Sequence, residues 1–396
     1  MVTVTEHYDA YPYPARDPAD EDKRLILGSP SRPEEMDHIL WGGRRDWTQT
    51  LRILVAGGGS GDGLVQLAQR LTSAGRPYEM TYLDLSTSAR AVAEARIARR
   101  GLNHVQFVTD SLLRAPDLGL FDYIDCCGVL HHLPDPDAGF AALAQACAPD
   151  GGLGFMVYAP HGRSGVYPLQ AAFGALFADE PPQARLAAAR ALYDRLPAGH
   201  PIKRNPHLVD HHASDAGFYD LLLHSQDRAY GVGDLLETLD RTGWQLAGFC
   251  QPGLYEPERI TGQPHDLAPA EAMAVAEQLR GTLKVHVGYA RPKGAEAPAP
   301  RQSLDRIPHL GAPAAKVAQV VAAGRAVPIK VEGESSPVTL PPQTAPAIAG
   351  IDGRRTLAEI AARLGKDPLA FGAWWRPIED TFMPWGLLRY SGVLRR

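Results

Sequence analysis

The sequence predicts an α/β protein built on a doubly wound, seven-stranded, mostly parallel sheet, with a helical insertion and a small, mainly helical C-terminal domain. Three observations carry this. Short apolar runs alternate with helical periodicities from Leu51 to Tyr158. A glycine-rich turn, Gly57-Gly58-Gly59-Ser60-Gly61, joins the first apolar run to the first helical stretch. The segment PKGAEAPAP at 292–300 has the composition of a linker and sets off residues 301–396.

Residues 1–50 are rich in Pro, Asp and aromatics, with little periodicity, and are expected to form an N-terminal arm. The main domain is expected over 51–290. Leu51–Ala56 is a buried strand. Leu64, Leu67, Ala68 and Leu71 follow at i, i+3, i+4 and i+7, a helical spacing. Met80–Leu85 is the second strand. Ser86 or Thr87 caps the next helix and Gly101 stops it. Val105–Val108 and Phe121–Cys127 are the third and fourth strands. Pro149-Asp150-Gly151-Gly152 turns the chain into a fifth, Leu153–Tyr158. Strands separated by helices of this length imply right-handed crossovers and parallel pairing.

Residues 159–230 break the alternation and read as a helical insertion. Leu169, Ala172, Phe173, Leu176 and Phe177 form one apolar face; Leu186, Ala189, Tyr193 and Leu196 form another. Trp244–Cys250 and Thr282–Ala290 then complete the sheet. Beyond the linker (291–300), Thr356 and Glu359 make a capping-box pattern. Leu357, Ile360, Ala361 and Leu364 give that helix a buried face, and Gly365 ends it. Trp374, Trp375, Phe382 and Trp385 are the expected core of this last domain.

Hydrophobic residues make up 45% of the 396 and charged residues 21%, a balance that supports a packed core. The net charge of −5 argues against a broad phosphate-binding surface, so nucleic acid is not the expected partner. No apolar run reaches the roughly 18 residues a membrane helix needs. The first residues lack the basic-then-apolar order of a signal peptide. Cys126, Cys127, Cys147 and Cys250 have neither zinc-site nor disulfide-framework spacing. A reduced, cytoplasmic protein is expected. The sequence carries no sign of its oligomeric state.

The glycines let the backbone turn tightly and approach a ligand, and the helix that follows offers free N–H groups. Asp84 ends the second strand, where a carboxylate can accept both ribose hydroxyls of an adenosine cofactor; Leu85 follows it. Asp110 ends the third strand, placed to accept from an adenine amino group, with Ser111 and Leu112 beside the ring. For Asp84 a helix N-cap, and for Asp110 a turn or an N-cap, are the competing roles. A dinucleotide fingerprint would require a third glycine where this chain has Asp62, whose charge would face a pyrophosphate.

These features resemble the class I S-adenosylmethionine-dependent methyltransferases. ILVAGGGSG looks like their first motif, YLDLS their second-strand motif, and FDYIDCCGVLHHLPDP their fourth-strand motif. The resemblance covers about residues 51–158 and implies a Rossmann-like fold and S-adenosyl-L-methionine as cofactor. Carried over, Gly57, Gly58, Gly59 and Gly61 would contact its methionine half, Asp84 the ribose and Asp110 the adenine. Cys127 and Gly128 would line the sulfonium. Where the family often has an acidic residue two positions before the first glycine, this chain has Val55.

Methyl transfer is an in-line displacement in which the enzyme mainly supplies alignment. A general base is needed only if the nucleophile is protonated. His131 and His132, just past the fourth strand, are candidate bases; a hydrogen-bonding spacer is the competing role. The insertion segments GRSGVYPLQ (162–170) and DAGFYDLLLHSQDRAY (215–230) mix polar and apolar residues densely. They are expected to form a lid and substrate pocket. Asp215, Tyr219 and His224 are its candidate catalytic groups, and Arg163 and Arg228 could hold an anionic group. A buried polar network is the alternative. Tyr8, Tyr11 and Tyr13 are candidates for a cofactor lid. His207, His211 and His212 have helical spacing but no clear third ligand set, so no metal is assigned.

The segment IDGRRTLAEIAARLG resembles winged-helix-like peptide-recognition modules, which implies a protein or peptide partner; a stabilising appendage is the alternative. Three functions follow: a methyltransferase acting on a small molecule, a protein or peptide methyltransferase recruited through residues 301–396, or a cofactor-binding sensor or scaffold without turnover.

Overall fold

The computed structural model describes residue 11 and residues 14–298, 303–331 and 334–395. Tyr8 and Tyr13, two of the three lid candidates, lie outside the described residues. The sheet contains β1 (Leu51–Ala56), β2 (Tyr78–Asp84), β3 (Val105–Thr109), β4 (Phe121–Cys127), β5 (Cys147–Tyr158), β6 (Trp244–Phe249) and β7 (Val285–Pro292). Its order is β3-β2-β1-β4-β5-β7-β6, with β7 antiparallel to both neighbours and the remaining pairs parallel. The chain thus starts in the middle and winds outward twice. The order reverses between β1 and β4, and in such sheets ligands bind outside the strands' carboxyl ends at that point.

Strand alternation divides the core in two. Leu54, Ala56, Leu83, Ile124, Cys126, Leu153, Phe155 and Val157 face one side; Leu51, Ile53, Val55, Met80, Tyr82 and Tyr123 face the other. Helices cover both faces: α1 (Pro33–Trp41) ahead of β1, then α2 (Asp62–Ala74), α3 (Thr87–Arg99) and α4 (Pro136–Ala146) within the winding. The fifth strand begins at Cys147 rather than Leu153. The predicted turn at 149–152 is a bulge, because pairing jumps from Phe121↔Cys147 to Tyr123↔Gly152. The last strand runs to Pro292, so the first residues of the linker-like segment are still paired with Trp244 and Gln245.

Residues 159–230 carry α5 (Val166–Phe177), α6 (Pro182–Arg195) and α7 (Asp215–Leu223), with one-turn helices at 201–204 and 210–213. Val166, Leu169, Phe173, Leu186, Ala189, Phe218 and Tyr219 build their own core. Leu176 is 61% exposed and Ala172 is exposed too, so the buried face of α5 is narrower than its sequence predicts. The chain then returns to the sheet, with Tyr230 N–H donating to Tyr158 C=O at 2.8 Å, and continues into α8 (Val232–Arg241) and α9 (Pro269–Arg280).

The C-terminal region contains α10 (Ala314–Ala322), α11 (Leu357–Arg363), α12 (Pro368–Phe382) and two antiparallel pairs, β8 (Pro308–Leu310) with β11 (Leu388–Tyr390) and β9 (Val327–Val331) with β10 (Glu334–Val338). The capping box forms: Thr356 Oγ1 accepts from Glu359 N–H, and the Glu359 carboxylate accepts from Thr356 N–H at 2.7 Å. Of the four aromatics expected in this core, Trp375 and Phe382 are there. Trp385 instead packs with Phe249, Leu254 and Tyr255 of the sheet domain, and Trp374 is half-exposed with the Lys366 ammonium 4.4 Å over its ring.

Helix α1 joins this region to the sheet. Asp37, fully buried, accepts from Trp47 Nε1 at 2.9 Å, Ser391 Oγ at 2.7 Å and Gly392 N–H at 3.1 Å. Glu35, also fully buried, pairs with Arg389 and accepts from Tyr289 Oη at 3.0 Å. The arm is therefore a wedge between sheet and C-terminal region, which its polar sequence gave no reason to expect. Among the described residues no helix is long and apolar enough to cross a membrane.

Candidate active site

The glycine loop sits between β1 and α2 at the carboxyl edge of the sheet. Gly57 has φ of +68°, and a Cβ there would collide with the Val129 side chain. The Tyr82 ring lies against Gly58 so closely that a Cβ there has no room either. Tyr82 Oη donates to Gly59 C=O at 2.7 Å, and Gly59 N–H donates to the Asp84 carboxylate at 2.7 Å. Nothing lies within 4 Å of a Cβ built on Gly59, so this turn faces open space.

Asp84 stands at the end of β2 beside the loop, its second oxygen accepting from Ser86 N–H at 2.8 Å. Burial raises its pKa above the usual carboxylate value, against the pull of these backbone N–H groups. The N-cap of α3 is Ser86, so Asp84 does not serve as the helix cap. Asp110 N–H donates to Asp84 C=O at 3.1 Å, which sets the two acidic strand ends side by side. Asp110 is exposed, and one of its oxygens accepts from Ser111 N–H at 2.7 Å.

One placement differs from expectation. Leu112 is turned into the core rather than toward a ligand. The exposed apolar side chains beside Asp84 and Asp110 are Leu85 (59% exposed) and Leu113 (47% exposed). Ser111 caps the turn between them, accepting from Leu113 N–H at 3.3 Å. Cys127 is exposed at the end of β4 while Cys126 is buried, and Gly128 N–H is held by Met156 C=O.

The charge of Asp62 is not free. Its carboxylate accepts from Arg16 Nη2 at 2.6 Å and Arg96 Nη1 at 2.7 Å. Burial pushes its pKa up, but the two guanidiniums outweigh this and hold the carboxyl below the usual range. The repulsion expected against a pyrophosphate is therefore offset. Arg96 also donates to Ser60 C=O at 2.7 Å and to Glu21 at 2.7 Å. Its side chain is 1% exposed, on the same helical face as Ala93 and Ile97. An arginine on the buried face of this helix is the signal in the sequence for that role, although Arg96 stands among several arginines of the same helix.

The arm passes over this loop, with Ser60 Oγ donating to Pro14 C=O at 3.3 Å. Tyr11 then stacks on Tyr219 of the insertion, ring centroids 4.8 Å apart at 20°. Tyr219 is thus a packing partner of the arm within the insertion core. Asp215 lies on the insertion surface, its side chain 64% exposed and paired with Arg190 at 2.7 Å; exposure of this kind leaves it outside the site.

The histidines past β4 do converge with the insertion. His131 and His132 are 1% and 8% exposed. The His131 ring lies 3.9 Å from that of Tyr158, and His132 stacks on His224 at 3.9 Å. Burial lowers the pKa of both His131 and His132, so both imidazoles are neutral near pH 7. Arg163 lies 3.6 Å over the Tyr158 ring and donates to Tyr167 Oη at 3.0 Å and Asp227 at 3.2 Å. It is already paired, and Arg228 is exposed with its guanidinium over the Tyr230 ring. The expected two-arginine anion clamp is not assembled. Further from β4, buried His211 bonds Tyr193 Oη at 2.9 Å and packs on His212, which is exposed at the insertion surface.

Residues 54–153 match the family model described as a methyltransferase domain. This segment is a methyltransferase domain. The match spans β1 to the start of the paired part of β5, so the methyltransferase segment includes the glycine loop, Asp84, Asp110 and both histidines past β4. An uncharacterized protein of Synechococcus sp. is 33% identical over 270 residues, 67% of this chain. This chain spans 63% of that relative's length. The structure of PKMT2 from Rickettsia typhi has a TM-score of 0.64 at 16% identity, covering 93% of this chain and 76% of that one. PKMT2 in complex with AdoHcy gives a TM-score of 0.59 at 13% identity, covering 91% and 75%. At these identities the likeness concerns fold, and it extends beyond the methyltransferase segment into the C-terminal region.

Proposed function

We propose that this protein transfers the methyl group of S-adenosyl-L-methionine to a small-molecule acceptor that enters between the end of β4 and the insertion. One observation carries the cofactor site: the glycine loop, Asp84 and Asp110 occupy three adjacent strand ends, with Gly59 N–H 2.7 Å from the Asp84 carboxylate. In this reading Asp84 accepts the ribose hydroxyls, Asp110 accepts from the adenine amino group, and Leu85 and Leu113 supply apolar contact for the ring. Their exposure (59% and 47%) suits side chains that a ligand covers. Cys127 and Gly128 line the sulfonium. With Val55 in place of an acid, the cofactor's ammonium is left to backbone carbonyls of the loop.

The burial of His131 and His132 under residues of the insertion favours a small acceptor over the surface of a folded protein. A neutral imidazole there can take a proton from an acceptor hydroxyl or amine as the methyl arrives. Residues 301–396 act on this reading as a stabilising element.

Calorimetry with S-adenosyl-L-methionine and its demethylated product tests the shared premise. Binding is expected, weakened at least tenfold by Asp84→Ala through loss of one charged hydrogen-bond acceptor, about 1.5–3 kcal/mol. Binding unaffected by that substitution would overturn the assignment. Labelled cofactor added to fractionated extract should put label into small molecules; label in protein would move the acceptor to the second class.

A further inference from the structure

We propose that His131, His132 and Asp227 form a binding site for one divalent transition-metal ion at the acceptor end of the cleft. Binding of the ion stands on the geometry alone; only its place beside the methyl donor rests on the function proposed above.

The three residues come from two distant stretches, the turn after β4 and the segment that leaves the insertion. One ligand atom from each lies within 4.8 Å of the others. Each side chain is prepared in a different way. The Nδ1 of His132 lies 3.0 Å from Gln226 C=O. A carbonyl only accepts, so Nδ1 carries the proton and Nε2 keeps its lone pair. Metal-binding histidines are commonly oriented by such a backbone carbonyl. His131 is 1% exposed, yet neither ring nitrogen has a hydrogen-bond partner among the described residues. An imidazole buried in this state leaves its polar atoms unpaired, and a bound cation would relieve part of that cost by taking the lone pair of one nitrogen. In Asp227, one oxygen accepts from Gln170 Nε2 at 2.9 Å and Arg163 at 3.2 Å. Its other oxygen has no hydrogen-bond partner among the described residues, although the side chain is fully buried.

The surrounding charge favours one class of ion. Arg163 is the cation facing the cluster, and it is held against Asp227 and Tyr158. Two neutral imidazoles and one carboxylate that is shared with a guanidinium form a weak site for hard ions such as Mg²⁺ or Ca²⁺, which need several oxygens. The same set suits Zn²⁺, Co²⁺ or Fe²⁺, for which imidazole is a good ligand. Three protein ligands leave coordination positions open for water or an acceptor oxygen.

The test uses the full-length chain without a histidine tag, stripped with chelator and titrated with Co²⁺ and Zn²⁺ in the absence of methyl donor. Calorimetry should give one ion per chain, Co²⁺ should acquire visible absorption, and either ion should raise the melting temperature. His131→Gln and Asp227→Asn, which preserve volume, should each weaken binding at least about tenfold. His211→Gln, a buried histidine outside the cluster, should leave it unchanged. Circular dichroism of the stripped variants checks that they fold; if one does not, the other decides. No uptake by the parent protein, or equal uptake by both cluster variants, would overturn the site. Methyl-donor binding is measured separately on stripped protein, so loss of one reading leaves the other standing.

Discussion

The Arg96 guanidinium lies 2.7 Å from the Asp62 carboxylate at the first turn of α2, and the same guanidinium bonds Ser60 C=O and Glu21. One buried cation thereby ties the glycine loop, the helix that follows it and the arm that covers it. Replacing Arg96 with Met strands Glu21 and Asp62, though Arg100 and Arg16 still pair with them. Removing one partner of a buried ion pair typically costs about 3–5 kcal/mol. We expect the lower end of that range in urea unfolding, together with weaker cofactor binding. Unchanged binding in a folded Arg96→Met variant would show that the loop holds its shape alone.

Tyr11 of the arm stacks on Tyr219 of the insertion. A stacked aromatic pair is worth about 0.5–1.5 kcal/mol. If the arm is a lid, Tyr11→Ala should speed release of the demethylated cofactor about 2–10-fold in stopped-flow experiments, with little change in stability. Equal release rates would make the arm a passive covering.

Asp125 is buried in β4, where it accepts from Ser31 Oγ at 2.7 Å and Tyr123 Oη at 3.1 Å. Burial outweighs these bonds and raises its pKa to about 6 from an ordinary 3.8. A carboxyl whose folded pKa is raised favours the fold while protonated. Its contribution is lost as pH rises from about 4 to about 6, and the penalty is complete above that. Asp125→Asn removes the penalty and keeps an oxygen acceptor. The variant should gain about 1–3 kcal/mol over the parent at pH 7 and almost nothing at pH 4, in paired denaturant titrations. A gain independent of pH would contradict the ionisation argument.

Arg389 pairs with Glu35 at the junction with the C-terminal region. Arg389→Met should destabilise the protein by about 3–5 kcal/mol, because a fully buried carboxylate loses its cation. Adding Glu35→Gln should recover part of that loss. Additive losses in the double variant would mean that the two groups act separately.

The sheet was legible because its signals are local. The short apolar run of β1, a glycine turn and Ser86 as a cap each depend on a few neighbouring residues. The acidic strand ends followed from strand boundaries. The wedge of α1 was not legible: Glu34, Glu35 and Asp37 read as solvent-facing charges until Arg70, Arg389 and Ser391 arrive from elsewhere in the chain. Leu112 and Leu113 exchanged roles because a 3-10 turn at 112–118 sets which neighbour points inward. In the insertion, the density of polar residues gave no way to separate Asp227, whose carboxylate lies close to His131 and His132, from Asp215, which meets solvent.

The Asp37 contacts to Ser391 and Gly392 bear on how such a chain can be recombined. The C-terminal region docks partly on the arm, so its footprint is written in α1 as well as in the sheet. A chimera that exchanges residues 301–396 with a relative would leave Glu35 and Asp37 facing the wrong counterpart. Exchanging α1 together with that region preserves the match. Helix α1 and residues 301–396 are therefore expected to vary as a pair, although nearly the whole sheet domain separates them in sequence.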